Sequence, residues 1–247
     1  RDRVHGEARA ALHGQLTMAR ALGSDTVIGV IGAGAMGAGI AQVAAQAGHR
    51  VLLADAQPGA VARAAATMAQ ALQALAERGK LGAEEARAVP ARIQPSELMD
   101  FSACGLVIEA VVEDLDVKRS LLRQLEAIVG QGCILATNTS SLSVTAIAAG
   151  MEHPQRVVGM HFFNPATRMK LVEVISGVET TPEVAEAVFA TAEAWGKKAA
   201  YAKSTPGFIV NRIARPFYGE AWRAYTEGAA DAATIDAIVR DCGGFPM

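Results

Sequence analysis

The chain has 247 residues, 51% of them apolar and 19% charged, with a formal net charge of −2. That is the balance of a globular protein with one large or two small domains and a sizeable core. Its basic residues are scattered rather than clustered, which excludes the electrostatic footprint of a nucleic-acid or anionic-membrane binder and points to a small-molecule partner. No apolar run reaches the ~18 residues that would span a bilayer, and the N-terminus lacks the continuous apolar stretch of a secretory signal. Cys104, Cys133 and Cys242 have no metal-ligand spacing and are odd in number, so they read as reduced packing thiols in a cytoplasmic protein without a metal site.

Residues 1–25 read as a polar, Ala-rich leader with no strand signal. From Thr26 onward short β-branched runs alternate with Ala-rich helical ones: "TVIGVIG", "AGIAQVAAQAG", "RVLLAD" and "PGAVARAAATMAQALQALAERG". This is the form of βαβ units, and near-continuously apolar strands predict a parallel sheet covered on both faces. The pattern continues through the strand "GLVIEAV", a helix over "DLDVKRSLLRQLEAIVG", the strand "CILATN", a short helix after "SSLS", and the strands "RVVGM" and "KLVEVI". A helix over "TPEVAEAVFATAEAWG" and a last strand "KKAAYAK" follow. After Thr205 the text reads as helices only. The expected architecture is an α/β Rossmann-type domain over residues 26–203, followed by the start of an all-helical domain over residues 204–247. The chain begins at Arg1 and stops at "CGGFPM", where a Gly-Gly-x-Pro turn introduces another element; this predicts a piece of a longer protein with an incomplete C-terminal domain.

The first chemical signal is "GAGAMG", which sets Gly32, Gly34 and Gly37 in G-x-G-x-x-G spacing between a strand and a helix. The first glycine permits the tight turn, the second lets backbone approach a pyrophosphate, and the third allows close helix–strand packing. Gly32, Gly34, Ala35, Met36 and Gly37 are therefore candidate cofactor contacts. Asp55 ends the second strand, near the ~20-residue distance expected of the acid that hydrogen-bonds the adenosine ribose. A carboxylate there repels a 2′-phosphate, so the expected cofactor is NAD rather than NADP. The competing reading is three packing glycines and an ordinary turn aspartate.

The second signal is "GMHFFNP" followed by "KLVEVI". Glu173 lies among apolar residues in a strand expected to be buried, where a carboxylate needs a partner, and His161 ends the preceding strand. A carboxylate on one imidazole nitrogen fixes the tautomer and frees the other nitrogen as a general base, with Phe162, Phe163 and Pro165 as a dry wall. The alternative is a structural histidine, with Glu173 facing solvent on an edge strand. "ATNTSSLS" places Asn138, Thr139, Ser140 and Ser141 at the carboxyl end of a strand, where ligands bind in open α/β sheets, although one of the four is expected to cap the next helix. Asn211, inside the apolar helical stretch "GFIVNRIA", serves either helix packing or a ligand.

In their order and spacing "GAGAMGAGIAQ", "VIEAVVED", "NTSSLS", "GMHFFNP", "MKLVEVI" and "TPGFIVNR" resemble the L-3-hydroxyacyl-CoA dehydrogenases, from Thr26 to the C-terminus. The resemblance implies an acyl-CoA substrate, His161 as catalytic base, Glu173 as its orienting partner, and Ser140 and Asn211 as groups that hydrogen-bond the substrate near its 3-oxygen and thioester. By the same match Glu113, Lys118 and Asn138 look like cofactor contacts beside Asp55 and the glycine loop. It also implies a homodimer once the C-terminal helices are complete. Family members continue past "GGFPM" with further helices that this chain lacks, and two other departures stand out. The leader has no counterpart, and "ATR" after Pro165 replaces an apolar stretch and puts Arg168 at the expected substrate mouth. Two rivals share the fold: a polyol or sugar-acid dehydrogenase of the L-gulonate type, and a catalytically silent NAD-binding protein of the crystallin-like kind.

Overall fold

The structure, a computed structural model, describes residues 20–245. The alternating runs form eight strands: β1 (Val27–Ile31), β2 (Val51–Ala54), β3 (Ile93–Pro95), β4 (Cys104–Glu109), β5 (Ile134–Thr137), β6 (Val157–Phe162), β7 (Leu171–Ser176) and β8 (Lys198–Lys203). They lie in one sheet in the order β3-β2-β1-β4-β5-β6-β7-β8. All pairs from β3 to β6 are parallel. Successive side chains of a strand take opposite faces, so each apolar strand feeds two cores. Ile28, Val30, Leu106, Ile108, Val158 and Met160 join one core. Val107, Leu135, Val157 and Ile175 join the other.

Helices α1 (Ala35–Gln46), α2 (Ala60–Glu77), α3 (Ala83–Ala91) and α6 (Pro182–Ala194) cover the first face, through residues such as Ile40, Val43, Leu72, Val89 and Val188. Helices α4 (Leu115–Glu126) and α5 (Val144–Ala148) cover the second, through Leu122, Leu125 and Ile147. Each such leucine or isoleucine, taken out of water completely, contributes about 1.5–3 kcal/mol. Chain order reverses between β1 and β4, which makes the crevice at their carboxyl ends the topological switch point where ligands bind in such sheets.

Three features depart from the expected pattern. The sheet is not wholly parallel: β7 runs antiparallel to β6, because the short segment between Phe162 and Leu171 cannot hold a crossover helix. Its consequence is direct, since the reversal brings Glu173 opposite His161 in register. The second departure is α3 and β3, which the sequence pattern did not mark; three residues with a terminal proline give too little periodicity, as befits an edge strand. The third is small: β6 runs on to Phe162, one residue past the His161 expected to end it.

Beyond β8 come α7 (Val210–Thr226) and α8 (Ala232–Ala237). Helix α7 buries none of its residues and leaves Ile213, Tyr218 and Trp222 more than 60% exposed. Among the described residues no helix is long and apolar enough to cross a membrane. The predicted leader falls largely outside the described residues.

Candidate active site

The glycine loop joins β1 to α1. Gly32 has φ +99°, and a Cβ there would stand 2.5 Å from the Ala110 carbonyl oxygen, so the turn needs glycine twice over. A Cβ on Gly37 would overlap the Gly32 carbonyl oxygen, whereas Gly34 faces open space. Gly34 is also the N-cap of α1 and offers no side chain to the first-turn amides, which leaves donors and a positive dipole end directed at the crevice. A cleft of about 570 Å³ opens there, bounded by Gly34, Ala35, Asp55 and Gln57 and closed on the far side by Pro165 and Thr167. Uncapped amides, an open glycine and a carboxylate in one cleft fit a dinucleotide. Asp55 also shapes the loop: its Oδ2 accepts from the Ala33 amide at 2.6 Å and its Oδ1 from the Gln57 amide at 2.7 Å.

His161 and Glu173 are 5% and 0% exposed, and neither lies on an edge strand. The His161 Nδ1 stands 2.7 Å from Glu173 Oε2. The other carboxylate oxygen, Oε1, accepts the Ile209 and Val210 amides at 3.0 and 2.9 Å. Those amides are turned toward it by an unusual backbone, with Gly207 at φ +74° and Phe208 at +47°. The wall around the imidazole is aromatic: Phe163 and Phe208 have ring centroids 4.5 and 5.8 Å from it. Phe162, by contrast, points away into the core and stacks on Trp195.

A second polar cluster lies beside this pair. Glu113 Oε1 accepts from Thr139 Oγ1 at 2.7 Å, from the Ser140 amide at 2.7 Å and from Ser140 Oγ at 3.0 Å. Burial pushes the Glu113 carboxyl up, but these hydrogen bonds and the Lys118 ammonium outweigh it and hold the group below its ordinary value. Asn211 Nδ2 donates to the Ser140 carbonyl at 3.1 Å, and Asn138 Oδ1 accepts the Phe162 amide at 2.8 Å, leaving its own amide N–H groups available. The helix cap is Ser143, whose hydroxyl accepts from the Ala146 amide, and not one of the four residues from which it was expected, so Asn138 and Ser140 are not tied up by capping.

The structure thus gathers Met36, Glu113, Asn138, Ser140, His161 and Asn211 around one cavity of about 410 Å³. Two expected residues lie elsewhere. Lys118 is 1% exposed and turned inward: its ammonium donates to both Glu109 oxygens at 3.0 and 2.9 Å and to the Val111 carbonyl, so it backs the site instead of lining it. Arg168 lines a separate depression with Val43, Lys170 and Trp195, on the outer side of the segment whose Pro165 closes the cofactor cleft. Two residues escaped the sequence reading. Glu109 is fully buried between Lys118 and Thr137, and the adjoining "EAVVED" carboxylates are its only trace in sequence. Arg215, four residues after Asn211, lines the same cavity as His161.

A doubly wound sheet with a pyrophosphate-type glycine loop, and a carboxylate-held histidine at the same edge, define a dinucleotide-binding domain that carries an acid–base pair. Residues 27–205 match the family model of the 3-hydroxyacyl-CoA dehydrogenase NAD binding domain, and residues 207–247 match that of the 3-hydroxyacyl-CoA dehydrogenase C-terminal domain. The chain belongs to the 3-hydroxyacyl-CoA dehydrogenase family. It is 50% identical over 221 residues to 3-hydroxyadipyl-CoA dehydrogenase of Escherichia coli (strain K12), a match that covers 89% of this chain and 46% of that protein. The chain therefore spans about half the length of that relative. It is 39% identical to the mitochondrial hydroxyacyl-coenzyme A dehydrogenase of Homo sapiens, over 88% of this chain and 72% of the human one. The solved structure of (S)-3-hydroxybutyryl-CoA dehydrogenase from Ralstonia eutropha superposes with a TM-score of 0.87 at 40% identity, covering 90% of this chain and 79% of that one.

Proposed function

We propose that this chain carries the dehydrogenase unit of an enzyme that oxidises (S)-3-hydroxyacyl-CoA to 3-ketoacyl-CoA. The observation that carries the reading is the His161 Nδ1 to Glu173 Oε2 contact of 2.7 Å, buried beneath a cavity shared with Ser140 and Asn211. With Nδ1–H donated to the carboxylate, Nε2 is the nitrogen left to take the substrate's hydroxyl proton. Glu173 stabilises the imidazolium that results. Ser140 Oγ donates to Glu113 and so presents lone pairs to substrate, while Asn211 keeps a second N–H and its carbonyl oxygen. Bound NAD supplies the hydride acceptor for C3. The glycine loop, Asp55 and Asn138 hold the cofactor in this reading, with Glu113 fixing the wall between it and the substrate.

The relatives above are named for both a dicarboxylic and a short monocarboxylic 3-hydroxyacyl-CoA, and either carries the C3 hydroxyl that His161 needs. A cytoplasmic location agrees with the buried thiols Cys104 and Cys133, each pushed up to about 12 chiefly by burial. A homodimer would give the exposed Ile213, Tyr218 and Trp222 a partner. The test is NADH oxidation with acetoacetyl-CoA alongside NAD reduction with L-gulonate. Turnover of the first and not the second is expected. NADH binding without turnover of either would replace this reading with that of a silent NAD-binding protein.

A further inference from the structure

We propose that Arg215 selects the substrate of this site by binding an anionic group at the far end of the acyl chain, so that dicarboxylic 3-hydroxyacyl-CoAs are preferred. The inference rests on the activity proposed above and adds to it the chemistry of the acyl group.

Arg215 follows Asn211 by one helical turn, so the two side chains leave α7 from the same face, about 6 Å apart along its axis. Both line the cavity that holds His161 and Ser140. Among the described residues the arginines in ion pairs are Arg119, Arg156, Arg223 and Arg240; Arg215 is in none of them. The cavity's one carboxylate, Glu113, is already committed to Thr139, Ser140 and Lys118. Arg215 is thus an exposed guanidinium at the rim of this cavity, without an ion-pair partner among the described residues. Its planar fork suits a carboxylate or a phosphate.

Three anions could meet it: a distal carboxylate of the acyl chain, the CoA pyrophosphate and the cofactor pyrophosphate. Position favours the first. The cofactor's phosphates belong with Gly34 and Ala35 in the other cleft. The CoA pyrophosphate is held away from the thioester by the whole pantetheine arm. A carboxylate a few carbons beyond C3 stays within the cavity that His161 and Arg215 both line. The other walls of the cavity, Met36, Val111 and Phe163, offer such a carboxylate no charge.

The experiment compares the unaltered full chain with Arg215→Met and Arg215→Lys. The paired substrates are a six-carbon dicarboxylic 3-hydroxyacyl-CoA and 3-hydroxyhexanoyl-CoA, with the KM for NAD measured in parallel. The unaltered protein is expected to prefer the dicarboxylic substrate tenfold or more in kcat/KM. Arg215→Met is expected to lose that preference through a rise in KM, while its kcat/KM on the hexanoyl substrate and its KM for NAD stay within about twofold. Arg215→Lys is expected to fall between the two. An equal loss on both substrates would assign Arg215 to CoA, and a raised KM for NAD would assign it to the cofactor; either overturns the proposal, as does an unaltered protein without preference. Absence of turnover of both substrates by the unaltered protein would overturn the underlying activity instead, and the inference with it.

Discussion

Glu109 and Glu173 are the same residue type, both fully buried in strands of the same sheet and both hydrogen-bonded to a basic side chain, yet the partner of only one of them lines a cavity. The partner of Glu109, Lys118, is sealed in with it, and Thr137 and the Val111 amide complete the set. The partner of Glu173 is a ring with a second nitrogen, and that nitrogen opens onto a cavity. A buried carboxylate is therefore structural or catalytic according to what its partner has left over.

The comparison breaks first at Glu109. Glu109→Ala leaves the Lys118 ammonium buried without its carboxylate, and a loss of about 3–5 kcal/mol is expected in urea unfolding. Replacing both, as Glu109→Leu with Lys118→Met, is expected to recover part of it, because no fully buried charge is left unpaired, while Thr137, the Val111 amide and Glu113 each lose a partner. If the single variant is as stable as its parent, the pair is not the structural element described here.

Next comes Glu173→Gln, which keeps an oxygen for the Ile209 and Val210 amides but removes the charge behind the imidazole. Here kcat is expected to fall roughly 10²-fold or more, about 2.7 kcal/mol, with NAD affinity nearly unchanged. His161→Gln is expected to lose at least as much, and the double variant little beyond the worse single one, since the two residues act as a unit. Simple addition of the two losses would separate them.

Asp55→Ala sharpens the contrast at the cofactor end. NADH binding is expected to weaken by about 1.5–3 kcal/mol and NADPH binding by far less, as isothermal titration would read. Equal losses for both cofactors would remove Asp55 from the ribose site.

The smallest effect belongs to Glu113. Its folded carboxyl is held below the ordinary value, so on acidification the unfolded chain takes up this proton first. The stabilisation it gives is present above a pH of about 4.5 and fades as pH falls through the folded value. The side chain is 37% exposed, so solvent screens much of it. Denaturation curves below that pH are expected to decline more steeply for the parent than for Glu113→Gln; parallel curves would refute this.

Much of this arrangement was legible in the sequence because it rests on local pattern. "GAGAMG" between a strand and a helix needs only spacing, and "KLVEVI" shows a carboxylate among apolar residues that needs a partner unless its strand is an edge. What stayed hidden depends on which way a side chain turns. Lys118 and Arg168 are near the site in sequence terms, but one is drawn inward by Glu109 and the other sits behind a loop. Nothing in the sequence sets Arg215 apart, and only the position of the first turns of α7 beside Ser140 puts it at a cavity. Likewise the β6–β7 reversal is a property of connection length and not of either strand's composition.

The two oxygens of Glu173 answer to different parts of the chain: one to an imidazole in the sheet, the other to the first amides of α7. Helix and imidazole are thereby tied to one carboxylate. If α7 swings away by more than the reach of a hydrogen bond, both amide contacts part at once, and the carboxylate that steers His161 loses its second anchor. The same swing carries off Asn211 and Arg215. One carboxylate thus joins the start of α7, with Asn211 and Arg215 on it, to the imidazole in the sheet.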